Sequence, residues 1–198
     1  MQSLKNSRDW GETVSLFAAL VLFVALPNRY TIGGPTATLV LGIVLGVICL
    51  LSLYWTITGE RRMTRRVMLT AAAVLGLIVA ASMAKIAYLV IYQAGTIDGP
   101  RLLETAFVIW VCNVILFAVA YHWIGEGEFV FPRSDGAATA KPLVFLDFIF
   151  LSFTTATAFS PTDTPPLTTR ARMYMMLESG ISLATIAIAA ARAINILK

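Results

Sequence analysis

The sequence predicts an all-α fold, a polytopic transmembrane helix bundle with a re-entrant pore helix and loop before the last helix. Three observations predict this fold. Hydrophobic residues make up 58% of the 198-residue chain and charged residues 13%, and the mean hydropathy is +0.80, which is typical of an integral membrane protein. Several apolar stretches reach the roughly 20 residues that a membrane-crossing helix needs. One further apolar stretch is too short to cross and precedes a threonine-rich turn.

The candidate membrane spans are five apolar stretches: 13–26, 36–57, 67–92, 102–121 and 167–197. The first follows Lys5 and Arg8 and is short, so we interpret it as a span or an anchor. Glycine and proline separate the spans at 33–35 and 95–100. The sequence therefore predicts two parts. Residues 1–101 form about three N-terminal membrane helices, and residues 102–198 form a pore module with an outer helix, a re-entrant loop and a lining helix.

The formal net charge of +4 comes largely from one cluster beside a predicted span, Arg61, Arg62, Arg65 and Arg66. Next to a span, such a cluster predicts contact with the anionic head groups of the lipid bilayer and does not predict nucleic-acid binding. The sequence has no His/Cys/Asp cluster with ligand spacing and no nucleophile paired with a base. It therefore predicts no enzyme, no catalytic residue, no metal site and no cofactor.

The short apolar stretch, 142–153, supplies 12 residues or roughly 18 Å of helix, whereas the hydrocarbon core is about 30 Å thick. Pro142 suits the first turn of a helix. A helix that enters here and stops directs its negative dipole end at the bilayer centre, where it stabilises a cation. The alternative extends the helix through Ser160 to give an ordinary span of about 19 residues.

The segment after this short helix is predicted to be irregular, and backbone of that kind inside a membrane must be buried in protein or line a cavity. Its hydroxyls, with an Asp163 carboxylate contributed by each subunit, predict a wide and weakly selective path for monovalent cations. The candidate ion-pathway residues are Thr154, Thr155, Ala156, Thr157, Ala158, Phe159, Ser160, Thr162 and Asp163. In the alternative interpretation, the hydroxyls satisfy local backbone groups in a turn.

Ionisable side chains inside spans are costly, so Lys85, Asp147 and Glu178 are candidate functional residues. One hypothesis pairs the three in an intramembrane charge network. Glu178 is also a candidate for the ion pathway, because it lies two residues before Gly180, a candidate hinge in the lining helix.

Residues 102–197 resemble the two-helix-plus-pore-loop module of potassium channels and their relatives. The resemblance lies in the Thr154-Thr155 pair that ends the pore helix and in the Ala171-Arg172 and Ala191-Arg192 steps of the last helix. It implies a homotetramer around a conducting axis. Where that family reads Thr-Val-Gly-Tyr-Gly-Asp, residues 155–160 read Thr-Ala-Thr-Ala-Phe-Ser, so both filter glycines are replaced. Residues 158–164 and 191–197 also resemble uncharacterised bacterial membrane proteins, and a short, loop-poor chain of this kind fits the bacterial inner membrane.

Orientation leaves two hypotheses open. The positive-inside rule places the four-arginine connection in the cytoplasm, so a re-entrant loop would enter from the cytoplasmic side, opposite to potassium channels. A helix that crosses fully at 142–160 would instead give six spans with both termini inside. The chain is then either a pore-loop cation channel or a non-conducting helix bundle that acts as a transporter or an interaction subunit.

Overall fold

The computed structural model describes residues 3–25, 34–58, 61–92, 99–131, 143–158 and 164–196. These residues form six helices: α1 (Ser3–Val24), α2 (Gly34–Thr58), α3 (Arg61–Tyr92), α4 (Gly99–Ile124), α5 (Phe145–Ala156) and α6 (Thr169–Ile196). A short 3-10 turn, Glu126–Glu128, follows α4. Within these ranges β-structure is limited to one antiparallel bridge between Phe129 and Pro166. The all-α prediction is confirmed.

Three helical segments are long and apolar enough to cross a membrane: Arg62–Tyr92, Pro100–Ile124 and Thr169–Ala191. The other three helices contain shorter apolar stretches, Thr13–Val24, Gly42–Trp55 and Phe145–Ala156. These lengths and compositions are compatible with an integral membrane protein, and they agree with the third, fourth and fifth predicted spans.

The arginine cluster lies on a helix, and the predicted connection at this position is wrong. α3 begins at Arg61, so all four arginines occupy its first two turns. Arginine is a good helix former, and its long side chain reaches water from a helix end. Accordingly Arg62, Arg65 and Arg66 are exposed.

The core surrounds α4, which contacts α1, α3, α5 and α6. Small residues such as Ala19, Ala71, Ala118 and Ala171 are almost fully buried and let the helices approach closely. The larger fully buried side chains are Leu16, Phe23, Met68, Leu75, Ile86, Leu102, Ile109, Tyr121, Phe148 and Leu151.

Side-chain contacts give the directions of the helices. Tyr121 meets Glu178 and Asn113 meets Ser182, so α6 runs antiparallel to α4. Cys112 on α4 lies 3.5 Å from the carbonyl oxygen of Ala19, one of several contacts between α1 and α4. The 93–98 connection spans at most about 25 Å, whereas the 32 residues of α3 extend about 48 Å, so α3 is also antiparallel to α4.

α3, α5 and α6 therefore begin at the end of the bundle where α4 stops. α1 begins there too, because Gly11 packs against Phe145 at the start of α5. The helices carry eight basic residues near this end: Lys5, Arg8, Arg61, Arg62, Arg65, Arg66, Arg170 and Arg172. We call it the basic end. Lys85, Arg101 and Arg192 lie towards the opposite end of the same helices.

At the basic end, the chain leaving α4 pairs with the chain approaching α6. Gly125 has a φ of 118°, a left-handed conformation that glycine adopts without strain, and it ends α4. The N–H of Leu167 then donates to the carbonyl oxygen of Glu128 at 2.9 Å, and the N–H of Val130 donates to that of Pro165 at 3.0 Å. Residues 128–130 and 165–167 therefore lie side by side.

In the sequence, α5 lies between these two paired segments. Its 12 residues measure about 18 Å and run along α4, with Phe145 beside His122 and Phe153 beside Trp110. α5 therefore ends beside the middle of α4. It buries one face, formed by Phe145, Phe148, Leu151, Ser152, Thr155 and Ala156.

The bounds of α5 correct two sequence predictions. The helix begins at Phe145 and ends at Ala156, about three residues later at each end than predicted, so Thr154 and Thr155 are helical and not irregular. The helix does not continue beyond Ala156, because Thr157 and Ala158 form a turn, and Ser160, the end of the alternative span, lies outside the described residues. The hydroxyls of Thr154 and Thr155 bond to carbonyl oxygens one turn earlier, which lets the helix continue past Phe153.

Candidate functional site

Three threonine hydroxyls surround the end of α5, and each donates to a carbonyl oxygen four residues earlier. Thr154 reaches Phe150 at 3.0 Å, Thr155 reaches Leu151 at 2.8 Å, and Thr157 reaches Phe153 at 2.8 Å. Bonds of this kind let threonine continue a helix. The three hydroxyls bond to local backbone groups, as the alternative interpretation of the sequence predicts. Only the lone pairs of their oxygen atoms are left to contact an ion.

The chain turns sharply after α5. The N–H of Thr157 donates to the Phe153 carbonyl at 3.0 Å and that of Ala158 to the Thr155 carbonyl at 3.3 Å. Ala158 has a φ of 56°, a left-handed conformation uncommon for alanine. Ala156 is buried and Ala158 exposed. Four predicted pathway residues lie outside the described residues: Phe159, Ser160, Thr162 and Asp163.

The end of α5 faces α6. The hydroxyl of Ser179 donates to the Thr155 carbonyl oxygen at 3.3 Å. The negative end of the α5 dipole thus lies next to the middle of α4 and one turn from Gly180. α6 continues as a helix through Gly180, where a side chain would meet no heavy atom within 4 Å. The candidate hinge therefore lies within a continuous helix in this structure.

Glu178 lies where α4, α5 and α6 meet, and its exposed fraction is 0%. The Tyr121 hydroxyl donates to Oε2 of Glu178. Ser152 Oγ is within hydrogen-bonding distance of Oε1 and also lies 2.7 Å from the carbonyl oxygen of Val114. One carboxyl group therefore connects three helices through neutral partners.

A second polar contact lies next to this carboxyl. Asn113 Nδ2 donates to Ser182 Oγ at 2.9 Å and lies 3.5 Å from the backbone carbonyl oxygen of Glu178. Glu178, Ser182 and Thr185 are all buried on α6. Their spacing of four and three residues puts them on one helix face. This polar stripe is the sequence signal that identifies the buried site, although the sequence does not reveal Tyr121 and Ser152 as partners.

The structure places the three candidate charged residues at different levels of the bundle. Asp147 accepts a hydrogen bond from the Val144 N–H at 2.8 Å in the first turn of α5, about 7.5 Å along the axis from Ser152. Lys85 is half-buried on α3. α3 meets α6 where Thr185 contacts Met83, about 10.5 Å along α6 from Glu178. The polar contacts of Glu178 described above come from a phenol and a hydroxyl instead.

The described part of the chain holds no group of three His, Cys, Asp or Glu side chains able to bind a metal ion. Its two notable features are the helix end at Ala156 beside the bundle middle and the buried Glu178 cluster. The first is suited to stabilising a cation and the second to holding a proton or fixing helices. No protein-family model, curated protein or solved structure matches this chain.

Proposed function

We propose that this protein is a subunit of a pore-loop cation channel in which α5 is a re-entrant helix. The observation that carries the proposal is the pairing of 128–130 with 165–167. α5 begins near the basic end and ends at the level of Trp110, and residues 165–167 lie at the basic end again before α6 begins. A segment that starts and finishes at one end of the bundle enters a membrane without crossing it.

The end of α5 supports the choice of a cation. A helix C-terminus carries a partial negative charge and stabilises cations within its last turn. In α5 that turn lies about 18 Å from the helix start, near the centre of a hydrocarbon core about 30 Å thick. Thr157 and Phe159, which replace the two filter glycines in the sequence, follow this helix end, and we propose that the segment containing them gives weak selectivity among monovalent cations.

A path of this kind requires several copies of the chain, and we propose a homotetramer lined by α6. Only 17% of the apolar window of α6 is buried within one subunit. Its exposed residues include Met173, Met176, Leu177 and Leu183. This surface is available to neighbouring subunits or to lipid.

We propose that the basic end faces the cytoplasm of a bacterial inner membrane and contacts anionic lipids. Eight basic residues lie near this end of the helices, against Lys85, Arg101 and Arg192 towards the other. The positive-inside rule favours this orientation, in which the pore loop enters from the cytoplasm. Replacing Arg62, Arg65 and Arg66 by Gln weakens the preference of the reconstituted protein for phosphatidylglycerol over phosphatidylcholine by up to about 1 kcal/mol per residue, whereas Arg101→Gln has a smaller effect. Equal effects would contradict the proposed lipid surface.

A second candidate function is a non-conducting bundle that acts as a transporter or an interaction subunit. The local bonds of Thr154, Thr155 and Thr157 favour it, because their hydroxyl protons already serve the helix. So does the burial of Glu178, which has no exposed surface to line a path within one subunit.

Cation flux in liposomes distinguishes the two functions. Purified protein is reconstituted, and the fluxes of potassium, sodium and a large organic cation are compared. Thr157→Val removes a hydroxyl near the proposed constriction. Thr70→Val is the matched control, because Thr70 makes the same bond to Arg66 on α3. A channel shows flux whose rate or selectivity changes only with Thr157→Val. Absence of flux from folded oligomers across pH and voltage would favour the non-conducting bundle.

A further inference from the structure

The hydrogen bonds around Glu178 require one more hydrogen than the hydroxyls of Tyr121 and Ser152 supply. Three contacts link Glu178 and its neighbours: Tyr121 with Glu178, Glu178 with Ser152, and Ser152 with the carbonyl oxygen of Val114. The Thr155 hydroxyl also bonds to Tyr121, but it donates its hydrogen to the Leu151 carbonyl oxygen at 2.8 Å. Tyr121 and Ser152 each carry one hydroxyl hydrogen, and a carbonyl oxygen carries none. An ionised carboxylate only accepts, so two hydrogens would have to serve three contacts.

A protonated Glu178 satisfies every contact. Its O–H donates to Ser152 Oγ, the Ser152 hydroxyl donates to the Val114 carbonyl at 2.7 Å, and Tyr121 donates to the second carboxyl oxygen. Three hydrogens then make three hydrogen bonds. Burial favours the same state, because an ionised carboxylate removed from water is unfavourable unless a charge compensates it.

Besides Tyr121, the titratable residues near Glu178 on the packed helices include His122, next to Tyr121 on α4, and Tyr174, one turn earlier on α6. The charged side chains lie farther along the helices. On α5, Asp147 caps the first turn, about 7.5 Å before Ser152. On α3, Lys85 follows Met83, which meets α6 about 10.5 Å beyond Glu178. On α6 itself, Arg172 is exposed near the basic end.

We propose that Glu178 is a proton-binding site, and that the bound proton joins α5 to α4 and α6. The proton is the ligand, and Ser152, Tyr121 and Val114 form the site. Loss of the proton leaves one of the three contacts without a hydrogen and puts a charge in the core, which loosens the attachment of α5. This inference is independent of ion conduction, because it rests only on contacts within one subunit.

Infrared spectroscopy of the purified protein at neutral pH tests the protonation state. A carboxylic acid has a C=O stretch that a carboxylate lacks. We expect a carboxylic acid band in the parent that disappears in Glu178→Gln and remains in Glu104→Gln, the control for an exposed carboxyl on α4. A carboxylate band that disappears in Glu178→Gln, with no carboxylic acid band in the parent, would overturn the proposal.

Unfolding in mixed micelles gives a second readout. The amide of Glu178→Gln donates to Ser152 and accepts from Tyr121, so this variant folds as the parent does. If the folded parent holds a proton that the unfolded chain releases above pH about 4.3, its stability falls as pH rises. The parent's unfolding constant then increases by up to tenfold per pH unit relative to Glu178→Gln. Parallel pH profiles for the two proteins would contradict a proton site.

Discussion

The backbone N–H of Leu167 donates to the carbonyl oxygen of Glu128 at 2.9 Å, although α5 separates the two residues in the sequence. This bond places the end of α4 and the start of α6 at one end of the bundle. The segment between these two residues therefore begins and ends at the same end of the bundle.

Cysteine labelling tests that arrangement. In a variant with Cys49 and Cys112 replaced by Ala, we expect Gly127→Cys and Leu167→Cys to react with a membrane-impermeant maleimide from the same side, because both residues are exposed at the basic end. Arg101→Cys should react from the other side. If the basic end is cytoplasmic, the first two react only in inverted vesicles. Labelling of 127 and 167 from opposite sides would show that the intervening segment crosses the membrane.

Ala158 is a site where glycine should stabilise the fold. Its φ of 56° is unfavourable for a residue with a Cβ atom. We expect Ala158→Gly to raise the free energy of unfolding by about 1 kcal/mol. Ala156→Gly, two residues earlier and inside the helix, should lower it by about 1 kcal/mol. Unfolding in mixed micelles measures both, and destabilisation by Ala158→Gly would contradict the turn geometry.

The close approach of α1 to α5 depends on Gly11. A Cβ atom at this position would lie 3.2 Å from Cβ of Phe145, so α5 at Phe145 would have to shift by a few tenths of an ångström. Gly11→Ala should therefore destabilise the protein by about 1 kcal/mol. The control is Gly76→Ala on α3, where nothing lies within 4 Å and better helix propensity should stabilise by up to about 1 kcal/mol. Shifts of the same sign in thermal stability would argue against the α1–α5 contact.

Asp147 stabilises the start of α5 by accepting the Val144 N–H at 2.8 Å. Asp147→Ala removes this bond, and the expected loss is about 1 kcal/mol of unfolding free energy. Asp147→Asn keeps an acceptor and should lose less. Cation flux through the same two variants tests whether Asp147 also has a role in conduction. If Asp147 only fixes the helix start, cation selectivity stays unchanged in both variants, and altered selectivity would indicate a role in the ion path.

Long apolar stretches let the sequence predict the helical fold and the third, fourth and fifth spans. The length of the 142–153 stretch also predicted that α5 is too short to cross. The end of α5 was missed because threonine usually disfavours helix interiors, whereas Thr154 and Thr155 here bond to carbonyl oxygens one turn earlier.

Glu178 was identified as a candidate because a carboxyl inside an apolar helix is unusual. The sequence does not identify its partners, because Ser152 lies 26 residues and Tyr121 lies 57 residues away. Serine and tyrosine are common in membrane helices, and only the packing of α5 between α4 and α6 brings them to one carboxyl group. Asp147, by contrast, has its partner three residues away, so its capping bond is a local property of the chain.

The pairing of Val130 with Pro165 also bears on how the chain assembles. Because the two strands of backbone already touch, the interval from 131 to 164 is a closed excursion from an otherwise continuous antiparallel hairpin of α4 and α6. α4 and α6 also contact each other directly, where Asn113 donates to Ser182. A shortened chain with a tight turn between 130 and 165 would keep the five remaining helices in the same order and direction.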